Sequence, residues 1–133
     1  MVYVEVFSLS KEGETQISKN FKVKEFACKD GSDIVLVDPL LLWVLQNVRD
    51  YFGKPLNISS AYRTPSHNQK PSVGGSADSR HMYGMAADFS VKGVDPSEVQ
   101  EYLEKIMPNT GGIGKAKTYT HVDTREEKAR WTY

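Results

Sequence analysis

The chain has 133 residues, enough for one domain around one buried core. Apolar residues make up 39% and charged residues 26%, which is a globular composition and not a disordered one. Lys plus Arg and Asp plus Glu number 17 each, so bulk charge gives no reason to expect a nucleic acid or a membrane surface as partner.

At the N-terminus, Val2, Val4 and Val6 alternate with Tyr3, Glu5 and Phe7, which predicts an early strand. A basic start followed by a long apolar run is missing there, so no signal peptide is expected. No apolar stretch approaches the roughly 20 residues that span a bilayer. Cytoplasmic synthesis is therefore expected. Cys28 is the single cysteine, which rules out an intramolecular disulfide and a zinc knuckle. Its apolar neighbours in "EFACKD" suggest a small buried residue, and nothing marks a reactive thiol.

The short apolar run at 34–37 precedes the clearest local element. Asp38 can cap a helix and Pro39 suits its first position. Leu41, Val44, Leu45, Val48 and Phe52 recur at helical spacing, and Gly53 can end the helix. Residues 56–63, "LNISSAYR", predict a strand. A polar stretch, "TPSHNQKPSVGGSADSR", then runs over 64–80, and a structureless segment of that length in a compact domain is usually functional or mobile. "AADFSVKG" predicts another strand. Asp95-Pro96-Ser97-Glu98 has the form of a capping box opening a second helix, with Val99, Tyr102, Leu103 and Ile106 as its apolar stripe and Pro108 as its stop. A glycine turn, a strand at about 117–123 and a short tail close the chain. Many strands and few helices predict an α+β domain.

The three histidines are His67, His81 and His121. His81 and Asp88 lie seven apart, which on one continuous strand points them to opposite faces. Gly84 between them can supply a turn or bulge that resets the phase, and Ala86 and Ala87 leave room for close approach. In "TYTHVD", Tyr119, His121 and Asp123 share one strand face, while Thr120 and Val122 share the other. A buried face carrying Tyr, His and Asp needs partners for each group. Two histidines and a carboxylate form a ligand set for zinc with a fourth position left for water, although a paired His and Asp is also an ordinary structural motif. Such a metal lowers the pKa of its water from about 15.7 to about 7.

"SRHMYGMAAD" fits the pattern S-x-H-x-x-G-x-A-x-D and resembles the zinc D-alanyl-D-alanine carboxypeptidases and the phage endolysins related to them. "ISSAYRTPSHNQKPSVGGSADSRH" resembles the stretch before that motif, "GGIGKAKTYTHVDTREEKARW" the closing region, and "NFKVKEFACKDGSD" the start of the catalytic domain. The resemblance covers about residues 18–133 of a single domain spanning 1–133. It implies the compact α+β fold of the hedgehog and D,D-peptidase group, with helices flanking a small antiparallel sheet that carries the metal site. The implied zinc ligands are His81, Asp88 and His121, and Arg63 takes the place of the arginine that binds a substrate carboxylate. Ser79 is expected to bond substrate backbone or cap a turn. Asn68 is expected to contact substrate from the loop, and His67 to be an ordinary loop residue.

The sequence departs from the family where many relatives carry a glutamate three residues before the last histidine, or a histidine two before it. Those positions hold Thr118 and Tyr119. Free tyrosine has a pKa of about 10, so Tyr119 is a poor base, but it can donate to an oxyanion. Asp123 is left as candidate base, or as a residue that orients a histidine.

The resemblance thus implies a zinc-dependent peptidase acting on the stem peptides of peptidoglycan, as a carboxypeptidase or an endopeptidase. It is expected to be a monomer with no nucleic-acid or membrane partner, reaching the wall after release of the phage or prophage kind. Two other readings stay open. One is a wall-binding module that keeps fold and metal without turnover, and the other is a plain α+β domain with paired histidines.

Overall fold

A computed structural model of the protein describes residues 3–133. Val2, at the head of the alternating N-terminal pattern, lies outside the described residues, and the pattern continues into β1 (Glu5–Ser8). A one-turn helix α1 (Leu9–Glu12), a hairpin of β2 (Gln16–Ser18) with β3 (Phe21–Lys22), and a 3-10 turn (Val23–Phe26) follow. The apolar run becomes β4 (Ile34–Val37), which pairs antiparallel with β1.

Helix α2 (Pro39–Phe52) forms where its signals stand. Asp38 accepts from the Leu40 N–H at 3.1 Å and from the Thr124 hydroxyl, which ties the start of α2 to the far end of the chain. Gly53 ends the helix at φ 65°. The chain then forms β5 (Leu56–Ser60), the one-turn helix α3 (Pro65–Asn68), a second 3-10 turn (Arg80–Tyr83) and β6 (Ala86–Val91). In α4 (Pro96–Ile106), Asp95 accepts from the Ser97 N–H at 2.9 Å and its hydroxyl at 2.7 Å, so Ser97 and not Glu98 completes the cap. β7 (Gly112–Lys115), β8 (Thr120–Asp123) and β9 (Ala129–Thr132) close the fold.

Five strands form the main sheet in the order β5-β6-β8-β7-β9. Strand alternation gives it two unlike faces. Ala87, Phe89, Val91, Ile113 and Val122 point into the core with Leu41, Val44, Leu45, Val48, Val99 and Leu103 of α2 and α4. Burying each of the larger side chains contributes roughly 1.5–3 kcal/mol, so this face holds the domain together. The other face carries Asp88, His121 and Asp123.

The α+β class and the small sheet match expectation, with two differences. The tail after residue 123 supplies β9, and β9 runs parallel to β7. The register explains why: Gly112 pairs with Asp123 on one side and with Ala129 on the other. The chain leaves β8 beside Gly112, passes the end of β7 and re-enters at the same level, so β9 must follow the direction of β7. The polar stretch 64–80 is also not structureless. Besides α3 it holds backbone bonds from Val73 and Gly74 to Lys70 and from Gly75 to Asn68.

Candidate metal centre

His81 sits on the second 3-10 turn and not on a strand. Ser79 caps that turn, its hydroxyl accepting from the His81 N–H at 3.2 Å. Gly84 ends the turn at φ 70°, and its carbonyl accepts from the Asp38 N–H at 2.9 Å. A Cβ there would come within 2.6 Å of the Leu36 carbonyl oxygen, so Gly84 is required by backbone angle and by space. This sharp change of direction carries His81 back over β6, where it meets Asp88. Asp88 in turn pairs with His121 across β6 and β8.

One ligand atom from each of His81, Asp88 and His121 lies within 4.8 Å of the others. His121 Nδ1 is 2.8 Å and His81 Nε2 3.4 Å from Asp88 Oδ1. Each imidazole is held by its other nitrogen. His81 Nδ1 lies 2.7 Å from the Ala61 carbonyl, to which it donates, leaving Nε2 as the nitrogen that faces Asp88. His121 Nε2 lies 2.8 Å from Asp123 Oδ2, leaving Nδ1. Two imidazoles with anchored tautomers, converging on a carboxylate, suit zinc as a donor set and leave a coordination position over.

The electrostatics agree. Burial alone would raise the Asp88 carboxyl, but hydrogen bonds from His121 and His81 and their charge hold it well below the usual carboxylate range. Burial alone would lower the His121 imidazole, but its bonds to Asp123 and Asp88 raise it above its usual value. Both ring nitrogens of His121 lie 2.8 Å from carboxylate oxygens, an arrangement that favours a proton on each. A metal at Nδ1 takes the place of the proton there.

Asp123 is 0% exposed. Its Oδ1 accepts from the Gly112 N–H at 3.0 Å, the Arg125 N–H at 3.2 Å and Arg125 Nε at 2.8 Å. Its Oδ2 accepts from Arg125 Nη2 at 2.7 Å and from His121. Burial would raise its pKa, but His121 and Arg125 lower it. A carboxylate with no exposed atom and both oxygens engaged cannot reach a water in the cleft. A base at Asp123 would need an oxygen turned to the cleft, whereas here its Oδ2 stands behind His121 Nε2. Gly112 makes the arrangement possible, since a Cβ there would collide with that carboxylate.

The triad opens into a cleft of about 500 Å³ that Arg63, Ser79 and Tyr119 also line. Arg63 Nε donates to Ser60 Oγ at 3.0 Å, Nη1 to Asn68 Oδ1 at 3.3 Å and Nη2 to Asp88 Oδ2 at 3.5 Å. Among the described residues three of its five N–H donors are engaged, which leaves two for a ligand. Burial, Tyr133 and Asp88 raise the Tyr119 hydroxyl, so it stays a donor. Asn68 behaves otherwise than expected. It is 1% exposed, and its amide bridges Arg63 Nη1 and the Ser76 carbonyl, the latter at 2.8 Å. Asn68 therefore holds the loop and the arginine together.

Sequence reasoning missed Trp131 and Tyr133, which line the same cleft from β9 and its end. The Trp131 ring lies 5.1 Å from the His121 ring, and Arg125 stacks over Trp131 at 5.2 Å. Only the parallel pairing of β9 brings them there; "ARW" in a tail carries no such signal. Asp78 was missed too. It is the other carboxylate in the lining besides Asp88, with a 76% exposed side chain and an ion pair to Arg80 at 3.0 Å.

A sequence model of the peptidase M15 family matches residues 19–123. A stretch of 49 residues is 44% identical to the zinc D-Ala-D-Ala carboxypeptidase of Streptomyces albus G, covering 36% of this chain and 18% of that protein. The chain thus spans well under two thirds of that relative's length. With the match running from the first hairpin to the last ligand strand, the chain belongs to the peptidase M15 family.

Proposed function

We propose that the protein is a zinc peptidase acting on the stem peptide of peptidoglycan. The observation that carries this is the convergence of two anchored imidazoles and Asp88 beside an arginine with free donors. The partial likeness to a protein named as a zinc D-Ala-D-Ala carboxypeptidase supports the substrate class. His81 Nε2, His121 Nδ1 and the Asp88 carboxylate would hold the ion. When bound, zinc supplies a Lewis acid for a carbonyl and makes hydroxide accessible near neutral pH.

The chain's own groups do the rest. Asp123 keeps His121 turned toward Asp88 and stabilises the charge of that ring. Arg63 offers two N–H groups in a planar fork, which suits the terminal carboxylate of a peptide. Tyr119, held protonated, donates to the oxygen on which negative charge develops. Ser79 contributes a hydroxyl at the mouth of the cleft, and Trp131 and Tyr133 form an aromatic wall against the peptide. With Asp123 engaged, Asp78 is the remaining carboxylate of the lining that can exchange a proton with water.

A second reading rests on the same burial of Asp123. A domain that binds wall peptides and zinc without turnover needs no proton acceptor. The test is to purify the protein without chelator, quantify zinc, and follow digestion of peptidoglycan by mass spectrometry with a His121→Ala control. Zinc at one equivalent or more per chain, with new products lost in the control, supports the peptidase and identifies the bond cut. Zinc with muropeptide binding but no products supports the binding domain. A zinc-free protein overturns both.

A further inference from the structure

A second cluster of donors lies outside the cleft. Cys28 and Asp30 come from the segment after the first 3-10 turn, and His67 comes from α3. One ligand atom from each lies within 4.8 Å of the others. Cys28 is 3% exposed. Its sulfur accepts from the Thr64 N–H at 3.4 Å, and the Thr64 hydroxyl donates to Asp30 Oδ2 at 2.7 Å. His67 Nδ1 is buried and has no hydrogen-bond partner among the described residues. A buried imidazole nitrogen left unpaired is costly, and it calls for an explanation. Capping of α3 by Thr64 accounts for the bonds to Cys28 and Asp30 but leaves His67 Nδ1 unexplained.

We propose that Cys28, Asp30 and His67 form a second metal site for a divalent ion of the zinc class. A thiolate, an imidazole and a carboxylate are a borderline-soft donor set that favours zinc and its congeners over calcium or magnesium. Zinc lies about 2.3 Å from sulfur and about 2.0 Å from nitrogen or oxygen, so small side-chain adjustments gather these three around one ion. Solvent completes the coordination. The ion would tie the segment carrying Cys28 and Asp30 to α3. Asn68, beside His67, holds both Arg63 and the loop that walls the cleft. The site thus braces the substrate arginine from behind and takes no part in chemistry.

Cobalt(II) tests this independently of the peptidase reading, because the cleft triad contains no sulfur. The metal-stripped 133-residue chain is titrated with Co²⁺ and its absorption recorded, with circular dichroism to check folding of each variant. Two equivalents are expected, one giving the intense near-ultraviolet band of thiolate-to-cobalt charge transfer. That band should vanish in Cys28→Ser and in His67→Ala and persist in His121→Ala. No charge-transfer band in the unaltered protein, or an undiminished band in His67→Ala, overturns the proposal and leaves the cluster as the cap of α3.

Discussion

The two donor clusters are built on different principles. His81, Asp88 and His121 rest on a sheet and a glycine-stopped turn, and each imidazole is anchored through its second nitrogen. Cys28, Asp30 and His67 rest on a loop and a one-turn helix, and His67 carries a buried nitrogen with no partner among the described residues. The first cluster is preorganised: its ligands are already oriented before any ion arrives. The second is held by the hydroxyl and N–H of Thr64, and gains order only when its ligands are gathered. The lesson is that ligand identity alone does not set affinity; the groups behind the ligands do. The sheet cluster should bind zinc more tightly, and it alone opens to the cleft.

The comparison can be broken most severely at Asp88. Asp88→Ala is expected to abolish zinc retention at the sheet cluster and all turnover, while the thiolate–cobalt band of the loop cluster stays. Activity in an Asp88→Ala protein whose sheet cluster holds no zinc would end the peptidase reading.

Asp123→Asn probes the group behind the ligand. It should lower zinc affinity by about 10–100-fold. Competition with a chromophoric chelator measures this, and an unchanged affinity would mean that Asp123 does not orient His121.

The third effect is one of pH. Hydrogen bonds to Asp123 and Asp88 raise the His121 imidazole above its usual value, so the metal-free ring holds its second proton more tightly than a free imidazole does. Zinc must displace that proton. Affinity should therefore fall as pH drops through the His121 value, by up to roughly tenfold per unit for one proton. Calorimetry in buffers of different ionisation enthalpy counts the protons released, and a count of zero contradicts a proton on each ring nitrogen.

The smallest expected effect is in the turn. Gly84→Ala places a Cβ at positive φ against the Leu36 carbonyl, and should cost more than about 1 kcal/mol of stability. Denaturant unfolding measures it. Loss of zinc at the sheet cluster with an intact loop cluster would show that the turn's chief task is to position His81.

Much of this was legible in local sequence. Asp38, Pro39 and Gly53 bound α2 because caps and helical starts depend on residues within one turn of each other. The spacing around Gly84 was legible for the same reason, since φ 70° is a property of one residue. The role of Asp123 was only half legible. Its strand face followed from alternation, but its engagement by Arg125 and Gly112 depends on where β7 lies. Asn68 looked like a loop residue free for substrate, and only the closing of the loop onto Ser76 buries it. Trp131 was invisible as a cleft residue because parallel pairing with β7 leaves no periodic mark in four residues.

What the sequence by itself determined is therefore the set of local devices: two capped helices, the apolar faces of the strands, the glycine that reverses the chain after His81, and the ordered motifs that point to a metal. These follow from backbone sterics and short-range hydrogen bonds, which act between near neighbours. Tertiary structure alone decided which groups stand behind the ligands, which carboxylate is sealed from water, which aromatic rings wall the cleft, and that Cys28 and Asp30 meet His67. Those outcomes depend on long-range register and burial, where a few ångströms separate a proton acceptor from a fully bonded carboxylate.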